Sequence, residues 1–201
     1  MRLGFSCAKQ IEKAVQSLDF RSSMSLGSDH ELLQLEPREF PEVELAKDHL
    51  KKQLATYTSL KKNKADKAQV RTAECAVFGA EETLTLAKAA EGGLLEKSIH
   101  ACLPAEISLF RLGDWSILSW PGEFFVEYAL ALKEIYPQLA IISMANGELQ
   151  GYIVTEEAVQ ANTYEASNAL FSHENGPKVL AVSKALIERS NIFRGEAHHV
   201  G

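Results

Sequence analysis

Three short clusters in this chain carry groups that can do chemistry. The first is Pro121-Gly122-Glu123, with Glu127 four residues on. As ordinary structure, Glu123 is an acid in a first helical turn, where the helix dipole favours negative charge. As chemistry, it is a carboxylate projected from a strand end into a cleft, where open α/β sheets bind their ligands. On a helix, Glu127 would share its face and give a carboxylate pair for metal or acid–base work. The second cluster is Asn146-Gly147-Glu148-Leu149-Gln150-Gly151-Tyr152, two glycines bracketing a polar loop. Tyr152 reads as a core-edge tyrosine with its hydroxyl in water, or as a phenol aimed at the same cleft. A bound metal would lower the effective pKa of such a phenol. The third cluster, Tyr164-Glu165-Ala166-Ser167, says little alone.

The histidines add no metal signature. His30, His49 and His100 are scattered, His173 precedes Glu174 in a polar loop, and His198-His199 lies near the end. No pair has the i, i+4 spacing of a helical zinc site. No Gly-rich phosphate loop, nucleophile elbow or Cys-x-x-Cys is present.

The elements that must position these groups follow from periodicity. Gly4 to Leu18 reads as an amphipathic helix with Ile11, Val15 and Leu18 on one stripe. Ser22 to Ser28 reads as a loop. Glu31 to Phe40 alternates through Leu33 and Leu35, and Pro37 and Pro41 make it an edge strand. Helices are predicted from Val43 to Tyr57 and from Asp66 to Ala90. The second has Val70, Ala73, Val77, Leu84 and Ala87 inward, and Gly92-Gly93 ends it. Ile99 to Leu112 and Trp115 to Trp120 read as a hairpin turning at Gly113-Asp114. A helix from Glu123 to Ile135, with Phe124, Tyr128, Ala131 and Ile135 inward, leads to an apolar strand from Leu139 to Met144 in a buried sheet position. Thr155 caps a short helix, and Pro177 opens a final one to Arg189. Residues 1–190 read as one domain and 191–201 as a loose tail. The fold class is α/β, with mixed α+β layers.

Bulk composition narrows the function classes. With 201 residues the chain can bury a real core, and 46% hydrophobic with 24% charged residues is ordinary for a globular protein. A formal net charge of −6 leaves no basic stripe for nucleic acid. Lys61, Lys62, Lys64 and Lys67 read as a solvated helix start. Three cysteines, Cys7, Cys75 and Cys102, suggest free and mostly buried thiols rather than a disulfide framework. Lys9, Glu12 and Lys13 interrupt any signal-peptide core, and no apolar run is long enough to span a membrane.

Taken in order, Leu112-Gly113-Asp114, Trp120-Pro121-Gly122-Glu123-Phe124, Ala145-Asn146-Gly147, Gly151-Tyr152-Ile153-Val154-Thr155-Glu156-Glu157 and Tyr164-Glu165-Ala166-Ser167 resemble the closing part of the neutral/alkaline non-lysosomal ceramidase family. The resemblance implies the C-terminal part of a ceramidase-like catalytic domain. It also implies hydrolysis of the amide bond of N-acylsphingosine-type lipids with one zinc ion. Glu123 and Tyr152 would be metal ligands, and Tyr164 a catalytic-site residue that positions substrate. The partner is then a lipid amide approached at a membrane surface, and family members are often exported. The family's two histidine ligands and its serine motif lie upstream and have no counterpart here. Glu148, Leu149 and Gln150 also depart from its usual loop. The chain alone is therefore expected to bind zinc weakly or not at all. The alternative is a non-catalytic remnant or binding subunit with the same fold.

Overall fold

The computed structural model describes residues 2–20 and 22–196, which mix helix and strand along the chain. In order these are α1 (Arg2–Gln16), β1 (Leu26–Leu33), α2 (Val43–Lys62), α3 (Lys67–Glu91), α4 (Leu94–Cys102), β2 (Ala105–Leu112) and β3 (Trp115–Trp120). Then follow β4 (Glu123–Phe124), α5 (Val126–Ile135), β5 (Leu139–Ser143), β6 (Tyr152–Ile153), α6 (Glu156–Gln160), α7 (Tyr164–Asn168) and α8 (Asn175–Glu196).

The main sheet has the order β1-β2-β3-β5. The Gly113-Asp114 turn makes β2 and β3 an antiparallel hairpin with Leu109 opposite Leu118. β5 adds in parallel, Leu118 opposite Ile141, because α5 carries the chain back across the sheet. One face buries Ile107, Leu109, Leu118, Trp120 and Leu139 against Leu132 of α5 and Val179, Leu186 and Ile187 of α8. On the other face Leu26, Leu32, Phe110, Leu112, Trp115 and Ile142 are exposed, while Ser108 and Ser119 are buried where Asn146 reaches over the sheet.

α2 and α3 form an antiparallel hairpin beside the sheet. Asp66 caps α3 by accepting from the Ala68 amide. Gly79 lets α3 approach α7, since a Cβ there would meet the Ser167 side chain at 3.0 Å. The loop after β1 is tied to the start of α8 by Asn175, which is fully buried. Its Oδ1 accepts from the Glu36 amide at 3.0 Å, and its Nδ2 donates to the Glu36 and Ser172 carbonyls at 2.8 Å each. Arg189 of α8 closes the sheet edge on Asp29 at 2.7 Å.

Several expectations change. The Ser22–Ser28 loop gives way to β1 at Leu26, and the strand expected over Glu31–Phe40 ends at Leu33. Pro37 makes only an isolated bridge to Phe171. The start of the Ile99–Leu112 strand is helix α4 up to Cys102, and the strand begins only at Ala105. The helix expected from Glu123 starts at Val126, because Glu123 and Phe124 pair with Tyr152 and Ile153. Glu123 and Glu127 therefore do not share a helix face. β5 lies at the sheet edge rather than in a buried position, with Ile142 and Ser143 exposed. The lysine cluster closes α2 and opens α3. Cys7 is exposed, so the thiols are not mostly buried. The proposed tail is helical through Glu196, and residues 197–201, including His198 and His199, lie outside the described residues.

Candidate functional site

β3 and β5 are parallel, so their C-terminal ends, Trp120 and Ser143, lie side by side. The chain leaves β3 through buried Pro121 and Gly122. That exit is pinned by amides of the following loop. Ala145 donates to the Trp120 carbonyl at 3.0 Å, Leu149 to Pro121 at 2.7 Å and Met144 to Gly122 at 3.2 Å. The loop holds this shape through left-handed backbone at Met144 and Asn146. Asn146 is fixed further by its Nδ2, which donates to Glu106 Oε1 at 2.7 Å and Ser108 Oγ at 3.2 Å.

Glu123 then opens β4, whose parallel partner is β6, in the register Glu123 to Tyr152 and Phe124 to Ile153. Register partners in a parallel pair share a face. Phe124 stacks on Trp120 at 4.8 Å and Ile153 is in the core, so Glu123 and Tyr152 are turned the other way, together. β6 is held from below by Tyr128 of α5, whose hydroxyl donates to the Val154 carbonyl at 2.8 Å. Burial, with the nearby charges of Glu157 and Glu127, pushes the Tyr128 phenol up to about 12, so it stays a donor.

Tyr152 is half-buried beside an exposed Glu123. Its phenol is pushed above the usual range, first by burial, then by the charge of Glu123 and its hydrogen bond, then by Tyr164 and Glu165. The three residues singled out in the sequence thus share one locality, and Glu165 joins them. Glu165 was visible only as the neighbour of Tyr164. A raised phenol is protonated at neutral pH, and its single O–H is directed to the Glu123 carboxylate. We expect Glu123→Gln to lower the Tyr152 titration midpoint, because the neutral residue no longer penalises a phenolate. Absorbance at 295 nm, differenced against Tyr152→Phe, reads this, and an unchanged curve would show the pair to be uncoupled.

A metal fits this pair poorly. Among the described residues no group of three or more His, Cys, Asp or Glu side chains can hold an ion. Glu123 and Tyr152 offer two oxygens where zinc takes three or four protein ligands. The described histidines lie elsewhere: His30 on β1, His100 beside Glu96 on α4, and His49 and His173 in a separate cleft. That cleft, of about 750 Å³, is lined by Arg38, Thr83, Ser167 and the two histidines among others, but by none of Glu123, Tyr152 and Tyr164. Arg38 donates there to the Ser167 carbonyl at 2.8 Å and lies over the Phe40 ring, which ties the loop after β1 to α7. Compared with known proteins, the chain matches no family model, no curated protein and no solved structure.

Proposed function

We propose that this chain supplies the carboxylate–phenol half of a zinc-dependent amidohydrolase site of neutral-ceramidase type, acting on N-acyl amide bonds of sphingolipid-like substrates. The observation that carries the reading is the β4–β6 register, which sets Glu123 beside Tyr152 at the strand ends with Tyr164 next to them. In this reading Tyr152 turns its one O–H from Glu123 to the acyl oxygen as charge develops there, Glu123 then offers an oxygen donor, and exposed Tyr164 contacts the lipid amide. Because the two oxygens do not make a zinc site, this reading requires the remaining ligands to come from another polypeptide segment. The missing third ligand also favours a second reading, a non-catalytic remnant or binding subunit.

The test compares the chain with a version extended upstream, by zinc content and by release of fluorophore from an N-acylsphingosine. We expect no zinc and no turnover from the chain alone. The extended protein should hold about one zinc, and Glu123→Gln should cost it roughly 10–100-fold in metal affinity or activity. An extended protein with neither zinc nor amidase activity sinks the enzymatic reading. Restoration by a separately encoded neighbour would eliminate the remnant reading.

A further inference from the structure

The loop after β1, α2, α3, α7 and the segment before α8 together wall the cleft of about 750 Å³ that holds His49 and His173. Its buried lining is apolar: Val154, Ala169 and Phe171 are each 1% exposed, and Ala166 is buried beside them. A concave site of this size, apolar with a few polar groups, suits a small organic molecule. Arg38 brings a guanidinium to it. Of the five N–H groups of that guanidinium, only one has a partner, the bond from Nη2 to the Ser167 carbonyl at 2.8 Å. Nε is buried without an acceptor. The Phe40 ring lies under the guanidinium, 4.6 Å from its carbon. Among the described residues no carboxylate pairs with Arg38. Burial alone holds its pKa below the ordinary value, with no acid acting in the other direction. A charge withdrawn from water is costly, and buried charges in folded proteins are paired. One bond to a carbonyl and one ring contact leave this cation without a counter-ion.

We propose that this cleft binds a small molecule with one carboxylate and an apolar body, the carboxylate resting on Arg38. Two features select that chemistry. First, an anion supplies the missing counter-charge, and the planar fork of a guanidinium matches a carboxylate. Second, Glu36, Glu39 and Glu174 also line the cleft, and all three are exposed. None of them pairs with Arg38, yet their charges face the same space. They penalise a dianion such as phosphate more than a monoanion. Val154, Ala166 and Phe171 then receive the hydrocarbon part, whose removal from water adds affinity. The cleft is separate from the carboxylate–phenol pair, because none of Glu123, Tyr152 and Tyr164 lines it.

The experiment is calorimetric titration of the full chain with hexanoate, and in parallel with hexanol and with inorganic phosphate. Saturable binding of hexanoate at millimolar concentration is expected, with neither comparison compound matching it. Hexanoate should also raise Tm, as a ligand of the folded state does. Arg38→Met keeps an unbranched stem and removes the charge. It should lower hexanoate affinity roughly 10–100-fold, the loss expected for one charge-assisted pair. The same change should leave the unliganded chain as stable as before or more so, because an unpaired cation is gone. Val159→Glu alters an exposed position on the cleft wall, so it keeps the fold and should weaken hexanoate by adding a like charge. It tests the proposal even if Arg38→Met unfolds. Hexanol binding as tightly as hexanoate would reveal a merely apolar pocket and overturn the proposal. Phosphate binding without hexanoate binding overturns the carboxylate assignment. Absence of saturable hexanoate binding overturns it too, and a destabilised Arg38→Met chain would then make Arg38 only a strap between loop and helix. Hexanoate affinity unchanged in the folded variants places the ligand outside the cleft and has the same effect. The amidase reading stands or falls separately, since neither variant touches Glu123, Tyr152 or Tyr164.

Discussion

Replacing Trp120 by alanine is expected to destabilise the fold by about 3–5 kcal/mol, the range for a large aromatic deleted from a packed core. Trp120 is 0% exposed and ends β3, where the two halves of the architecture meet. On one side its indole Nε1 donates to Ser183 Oγ of α8 at 3.1 Å, and on the other its ring packs on Phe124 of β4. Truncation therefore opens a cavity between sheet and α8. It also leaves the buried Ser183 hydroxyl without a bond it makes now, which adds to the cost. For a chain of this length each kcal/mol lowers Tm by about 2–4 °C, so a drop near 10 °C is expected. Urea unfolding followed by circular dichroism measures it, with Trp115 left as a fluorescent reporter. A loss below about 1 kcal/mol would mean that α8 does not close on the sheet at this point.

Gly151→Ala is the second large effect, expected at about 2–4 kcal/mol. Gly151 has φ +73°, a conformation that costs an L residue roughly 1–2 kcal/mol. The larger part is steric, because a Cβ there would fall inside the Asn168 carbonyl oxygen and near the Leu170 amide, both backbone atoms that cannot rotate away. The strand must shift, and Tyr152 is the next residue. The substitution should thus also uncouple Tyr152 from Glu123 and bring its titration back toward the ordinary range. Glu123→Gln should produce that titration change with little loss of stability. Gly4→Ala, within α1 and with open space around its Cβ, serves as the unstrained comparison and should be neutral or slightly stabilising. Equal stability of the Gly151 and Gly4 variants would refute the assignment of strain to this loop.

Elements whose signal is local were legible in the sequence. The β2–β3 hairpin after residue 105, α2, α3, α5 and the Thr155-capped α6 follow from turn residues, a cap and periodicity. The misreadings occur where a distant partner decides. β1 includes Gly27, Ser28 and Asp29, poor strand formers that are extended because Arg111, Phe110 and Leu109 pair with them. Glu123 looked like a helix-start acid, and only the pairing with Tyr152, far along the chain, makes it a strand. α4 was hidden because Ile99 was taken into the alternating run of Ile107 and Leu109 that follows it. For the site, the residue types at positions 123, 152 and 164 were readable, but their proximity was not. The exposed apolar residues of the sheet's other face were equally hidden, since an outward Phe110 and an inward Leu109 look alike in a one-dimensional pattern.

The tie between the beginning and the end of the chain bears on the order of assembly. β1 waits for β2, which begins some 70 residues later, and its far edge and following loop are secured by Arg189 and Asn175, about 140–160 residues away. The α2–α3 hairpin and the β2–β3 hairpin need only neighbours. Contacts of high sequence separation are slow to form because the intervening loop must be closed first. A ribosome would therefore release both hairpins as early, locally structured units. β1 would stay an unpaired strand carrying Leu26 and Leu32 until β2 had emerged, and its outer edge would stay unsecured until α8 followed, a late event even for the residues made first.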